Sequence, residues 1–217
     1  MLPAPYGPRD TRLRRTAALK ARGEDDFPVP PTMYEIYAAT AHDTGAPLTE
    51  RISAAVNLAA HHGRHDRSPD EIAPWAALAV RLLESGAPGP VLASAAWRSI
   101  SFLPYYRNDH TAVRELLDEA ERLALAALGA GEHLIAVENL RLLYQTRGRA
   151  ARDRSAAEHY YRRAIELDPD DPQTRITLGD HLLRTGRPDQ AYEVFAVAAE
   201  LGAPYTRHAR SRMKACR

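Results

Sequence analysis

Cysteine is nearly absent from this chain of 217 residues: the one thiol is Cys216. That excludes a disulfide framework, a thiolate-rich zinc site and a buried cysteine nucleophile, so a metal would have to rely on His and carboxylates. Long hydrophobic runs are missing too. Trp75 to Val80 is as long as any, well short of the roughly 18 to 20 residues that span a bilayer. The first residues lack the apolar stretch of a secretory signal, so a soluble, cytoplasmic chain with no membrane partner is expected. Lysine is confined to Lys20 and Lys214 while arginine and alanine abound. This bias points to a bacterium of high GC content and carries little physics.

A surplus of charge of either sign is also absent: 29 basic residues face 28 acidic ones, for a formal +1. The balance hides three unlike regions. Residues 1–30, with Arg9, Arg12, Arg14, Arg15, Lys20 and Arg22, carry a net +2. Residues 31–202 carry −6, and residues 203–217 carry +5 with no acid. Basic ends around an acidic body suit nucleic-acid contact, self-association or simple solubility.

What is present is helical periodicity. Apolar residues recur at intervals of three and four, and no segment shows the strict alternation of a half-buried strand. Between about His110 and Leu128, the residues Val113, Leu116, Leu117, Ala120, Leu123, Ala124 and Ala127 form one stripe opposite Arg114, Asp118, Glu121 and Arg122. Oxygen-bearing side chains at helix starts satisfy otherwise unpaired N–H groups, and glycine at helix ends accepts the left-handed turn. Starts are expected at Thr49, Ser68 with Glu71, Asp109, Ser155 with Glu158, and Asp171 before Pro172. Ends are expected at Gly63, Gly86, Gly129, Gly148, Gly186 and Gly202. These marks predict helices near 49–62, 69–85, 90–103, 110–128, 132–147, 155–167, 172–185, 188–201 and 204–215, with breaks or kinks at Pro74 and Pro104. Short connections make neighbours antiparallel, and the helices fall into pairs.

The pairs repeat. In residues 155–204, Leu178, Gly179 and Leu182 lie on a first helix, followed by Gly186 and then by Ala191, Phe195 and Ala198 on a second. The preceding second helix supplies Ala157, Tyr161, Ala164, Leu167 and Pro169. This spacing resembles the tetratricopeptide repeat (TPR) family, with Arg175 where that pattern commonly has Trp. Upstream the likeness weakens. Val137, Leu140, Tyr144 and Gly148 fit the first helix of a third unit, with the loop Arg149 to Arg154 taking up about four extra residues. Trp97, Ile100, Val113, Leu117, Ala120 and Leu123 fit a second unit. Ile52, Ala55, Ala59 and Gly63 fit a first, whose second helix, with Ala76, Val80 and Leu83, begins about eight residues late. The expected architecture is an all-α antiparallel helix-pair solenoid. It has about four repeats over residues 31–217 and a capping helix at 204–215, and it is preceded by a basic arm and Pro-rich linker in residues 1–30.

The resemblance implies a concave groove lined by the first helices and a peptide or partner protein held in it. The groove positions are then Asn57, His61, Arg98, Phe102, Tyr105, Tyr106, Glu138, Leu142, Gln145, Gln173, Asp180 and Arg184. Members that clamp a terminal carboxylate use Lys, Asn and Arg there. This chain has Ser53, Asn57, Arg98, Glu138 and Asp180, so that specificity is not expected. Phe102, Tyr105 and Tyr106 have an alternative use, packing around the Pro104 break.

Chemistry has fewer claims. His61, His62 and His65 stand at metal-ligand spacing, yet Gly63 lies among them and they suit the end of a helix dipole better. No metal or other cofactor is expected. Asp180 with His181, and Glu158 with His159, Tyr160 and Tyr161, are adjacent on helices and so diverge by about 100° per residue. Tyr161 falls at the family's packing position. There is no Gly-rich phosphate loop, nucleophile elbow or zinc helix. The reading is a non-enzymatic protein-interaction module. The alternatives are a regulator contacting DNA through residues 9–22 and the C-terminal helix, a homodimer formed through the groove or that helix, and a biosynthetic accessory protein or enzyme using His61, His133 or His181.

Overall fold

The computed structural model describes residues 31–131, 133–202 and 205–217, without the side chains of Pro31, Thr32 and His133. The basic arm 1–30 and the His133 side chain therefore lie outside the described residues. Among the described residues every regular element is helical. In order they are α1 (Pro31–His42), α2 (Leu48–Arg64), α3 (Pro69–Glu84), α4 (Pro90–Ile100), α5 (Phe102–Tyr106), α6 (His110–Gly129), α7 (His133–Ala150), α8 (Arg154–Leu167), α9 (Pro172–Arg184), α10 (Pro188–Glu200) and α11 (Thr206–Lys214). The fold is an all-α, TPR-like helical repeat. The chain divides into two compact units, residues 31–139 and 140–217, with the boundary inside α7.

Local chemistry explains most boundaries. Asp109 accepts from the Ala112 N–H, and Asp171 from the N–H groups of Gln173 and Thr174, so both cap as expected. Proline opens α3, α4, α9 and α10, where its missing N–H costs nothing. The start expected at Ser155 moves, because Asp153 caps α8 by accepting from Ala156. Glu158 is drawn away to Arg162 at 2.7 Å and to Arg187, which holds its carboxyl below the usual range. Ser68 holds the N-cap position of α3 without a side-chain cap bond.

Pro104 breaks its helix, but at Ser101, because proline at 104 denies the Ile100 carbonyl its N–H partner and crowds it. Pro74 does not break α3, where the carbonyl affected is that of Asp70 in the opening turn. Helix α1 was not expected. Its apolar face, Tyr34, Tyr37 and Ala41, is short and follows the prolines at 28, 30 and 31, which read as a linker.

Two of the glycines expected to end helices are instead inside them. Gly63 lies in α2 and Gly148 in α7. A Cβ on Gly63 would sit 2.4 Å from the Phe102 ring, one on Gly148 2.5 Å from Tyr161, and one on Gly179 2.5 Å from Phe195. Each bare backbone thus receives an aromatic ring from another helix. For the third repeat this changes the register: Gly148 occupies the place that Gly179 holds in the next repeat, and not the turn held by Gly186. The shift is seven residues, close to two helical turns, so the same face of α7 is used. Helix α7 accordingly runs to Ala150, and the connection shrinks to residues 151–153.

In the first unit, α2 pairs with α3 and α4 with α6, and α1 adds to α2. Ile52, Ile72, Leu78, Leu82, Ile100 and Phe102 form the main core. Val91, Ala127 and Ala136 join α4, α6 and the start of α7. In the second unit α9 pairs with α10, and α8 and α11 pack on this pair. Its core is Tyr161, Ile176, Leu178, Leu182, Phe195 and Tyr205.

Because the rings are boxed in, Gly148→Ala and Gly179→Ala are each expected to lose about 1–3 kcal/mol by overpacking. Gly129→Ala, where a Cβ meets nothing within 4 Å, is expected to be neutral or to gain up to about 1 kcal/mol. Urea unfolding of the three variants separates the two classes.

Candidate functional site

In the first unit the most distinctive cluster surrounds the last turn of α2. That turn carries His61, His62 and Arg64 beside the negative end of the helix dipole, and His65 caps it. His62 Nδ1 donates to the Asp66 carboxylate four residues on. The Tyr34 hydroxyl lies 3.3 Å from the other ring nitrogen, Nε2. Helix α1 is thus pinned to α2. Tyr34 also meets His61, His62 and Trp75 edge-on, with centroids 6.3, 5.7 and 6.4 Å apart, and His42 lies 5.6 Å from Trp75.

On the other side, the Tyr106 hydroxyl donates to the Gly63 carbonyl at 2.7 Å and Tyr105 packs on Tyr106 at 4.9 Å. His61 is buried, with His65 at 4.8 Å. Burial, then the neighbouring His65 and His62, push its pKa down to about 4, so it is neutral at pH 7.

Four expected groove residues, His61, Phe102, Tyr105 and Tyr106, are therefore brought together here. Phe102 is 5% exposed and serves as the ring over Gly63, which is the packing use open to it from the start. Arg98 is likewise buried, so it is not a surface contact for a ligand. Asn57 and Glu138 are partly exposed, and the Asn57 amide donates to the Ser53 carbonyl. His61, His62 and His65, weighed above as metal ligands and set aside, also lie in this turn. Among the described residues no three His, Cys, Asp or Glu side chains gather as a binding set, because the His62 nitrogens are turned to Asp66 and Tyr34. Tyr34, His42 and Trp75 were missed because they become neighbours only through α1, which the periodicity did not reveal.

In the second unit the expected groove is largely spent on the fold. Arg141 Nη1 donates to Asp171 at 2.6 Å and Nε lies 3.7 Å from Asp168. The Gln145 amide donates to Asp171 at 3.3 Å and to the Thr174 hydroxyl, whose own proton goes to Asp171. Arg141, Gln145, Asp171 and Thr174 are buried, and Asp168 is partly so. Gln145 is thus a joint between α7 and α9, not a ligand contact. One helix further on, Tyr205 donates to Gln173 at 3.4 Å and Arg212 Nε to Asp180 at 2.6 Å, so α11 takes up Gln173 and Asp180.

Of this set Leu142 remains partly exposed and Arg184 exposed. His181, considered as an acid or base, is buried against Tyr161 and its Nε2–H donates to the Arg154 carbonyl at 3.1 Å. Burial lowers its pKa.

With this geometry in place, comparison with known proteins is decisive for one segment. Residues 149–211 match the family model of the tetratricopeptide repeat. Over this segment the chain is similar to the tetratricopeptide repeat. The match runs from the end of α7 into α11 and takes in the Gly179–Phe195 contact that makes the TPR helix pair. No curated protein matches the chain. Upstream of this segment, α2 packs on α3 and α4 on α6, while the ring over Gly63 comes from Phe102 on α5, outside either pair. No helix among the described residues is long and apolar enough to cross a membrane.

The buried Arg141–Asp171 pair should be costly to halve. Asp171→Ala is expected to lose about 3–5 kcal/mol, because it strands a buried guanidinium, and Asp171→Asn about 1 kcal/mol less, because it retains a cap oxygen. Chemical denaturation of both variants measures this. The two buried histidines set a pH dependence. Their folded pKa values lie below the unfolded value, so the unfolded state binds more protons at mildly acidic pH. Stability contributed by neutral His61 is complete above about 6.5 and falls as the pH drops to about 4, His181 acting in the same direction. Urea midpoints between pH 7.5 and 4 should decline, and less so in His61→Gln.

Proposed function

We propose that this chain is a non-catalytic interaction module that binds a peptide or a segment of a partner protein. One observation carries the reading. Around the end of α2 two sets of rings are partly open to solvent: Tyr34, Trp75 and His65, joined through the buried His61, and the pair Tyr105 and Tyr106, tied to the same turn by the Tyr106–Gly63 hydrogen bond; His42 lies exposed against Trp75. Rings held rigidly by a packed scaffold offer contact area at little entropic cost, and Tyr and Trp dominate the energetics of protein interfaces. The TPR segment supports the same class of function, since a helical repeat supplies surface and not a reaction centre. Acid–base chemistry is less well supported, because His62, Asp180 and His181 have polar atoms committed to Asp66 and Tyr34, to Arg212, and to Arg154.

The partner expected is one that presents apolar or aromatic side chains. Immobilised full-length chain should retain a partner from a lysate of the source cell, and the recovered partner can then be titrated. Tyr105→Ala and Trp75→Ala, checked for native circular dichroism, should each weaken it about tenfold or more, the loss typical of a ring at an interface centre. Unchanged affinity in both variants would overturn this assignment of the surface.

A further inference from the structure

A second surface lies on the outer side of the C-terminal unit. Helix α11 turns Ala209 into the core, with Met213 and Cys216 packed alongside and Arg212 reaching Asp180. At 100° per residue, Arg207, Arg210 and Lys214 fall within an arc of about 60° away from that buried side, and all three are exposed. On α10, Asp189, Glu193 and Glu200 fall within about 40° of one another and are exposed as well. Val197 and Leu201, 42% and 36% exposed, flank this acidic row. The two rows stand on helices that pack against each other. Arg217, which continues the basic row past the end of α11, lays its guanidinium 5.7 Å from the centre of the Tyr192 ring, next to Glu193 on α10.

We propose that this surface pairs with the same surface of a second copy, α11 of each chain lying on α10 of the other. A surface that carries a basic row beside an acidic one is self-complementary under a two-fold axis. Each copy then supplies the cations for one half of the interface and the anions for the other, and the assembly closes as a dimer. The aliphatic stems of Arg207 and Arg210 are long enough to cover Val197 and Leu201 while their guanidinium groups reach the carboxylates, which accounts for exposed apolar side chains in a charged setting. A polyanion fits less well. Phosphates drawn to α11 would meet the carboxylates of α10 at the same edge, whereas a second copy satisfies both rows. The contact is small and charged, so association should be weak and should diminish with salt.

Sedimentation velocity of the full chain over a concentration series tests this. Wild type should form dimers at low ionic strength, and the association constant should fall by about tenfold or more in high salt as the charges are screened. Arg207→Glu/Arg210→Glu/Lys214→Glu and Glu193→Lys/Glu200→Lys, both folded by circular dichroism, should each be monomeric alone. An equimolar mixture of the two should pair again, because reversed α11 then faces reversed α10 while the native rows face each other. A wild type that stays monomeric at every concentration, variants that dimerise like wild type, or a mixture that does not pair would each overturn the proposal. Salt-dependent retention of a monomeric wild type on duplex DNA, lost in the α11 variant, would do so too by assigning the basic row to phosphates.

Discussion

The fold depends on a ring set against a bare backbone. Two helices cannot pack as closely as these do with a Cβ between them, and at Gly63, Gly148 and Gly179 the missing atom is replaced by the face of Phe102, Tyr161 or Phe195. The contact does three things at once. It buries a large aromatic, a gain of roughly 1.5–3 kcal/mol apiece. It sets the separation of the two helices. It also fixes which residues of the first helix face inward, since a displacement of one residue would put a side chain under the ring. Everything polar on the remaining faces is positioned as a consequence, including the end of α2 where Tyr106 reaches the carbonyl of the same Gly63.

A second constraint follows from the first. Once the rings set the spacing of pairs, the polar faces of successive first helices lie against each other and must be satisfied. Arg141 and Gln145 of α7 are answered by Asp171 and Thr174 of α9, and Gln173 and Asp180 of α9 by Tyr205 and Arg212 at α11. Asp171 works twice, as the N-cap of α9 and as the counterion of a buried arginine. This places a limit on function. A first-helix residue that holds the next first helix cannot also hold a ligand, so in the C-terminal unit the face expected to recognise a peptide is largely committed to the array. The rings around the end of α2 are only partly covered, and that difference is why the functional reading rests on them.

Much of this was legible from residues alone. Asp109 and Asp171 announced their helices, Pro104 announced a break, and the spacing of Leu178, Gly179, Ala191 and Phe195 announced the repeat. The misreadings have one physical origin: a residue type suited to two environments. Glycine ends helices through a left-handed turn, as Gly186 and Gly202 do at φ of 78° and 94°, and it also admits a close neighbour, as Gly63 and Gly148 do inside helices. Local sequence does not separate the two uses, because the ring that decides lies 39 or 13 positions away. Likewise a polar side chain on a first helix reads as a ligand contact until its partner is known. Gln145 and Asp180 find theirs 29 and 32 residues later. Of the aromatic cluster, His61 and Tyr106 were legible as candidates and Tyr34 was not, since the prolines at 28, 30 and 31 made the start of α1 read as a linker.

The same asymmetry bears on the charges. In a helical repeat the first helices meet their successors, and acids and bases there are consumed in pairs that define the array. The outward faces of second helices and of a terminal helix have no such neighbour. Charge there is free to be organised for something outside the unit, and a random scatter of ions would suffice if solubility were all that was required. Instead α10 carries a row of acids and α11 a row of bases, each on one side of its helix. Segregation by helix makes an edge at which opposite potentials adjoin. Such an edge is least favourable for a uniformly charged partner and most favourable for one that carries the same edge in reverse, which a two-fold copy of the unit itself supplies.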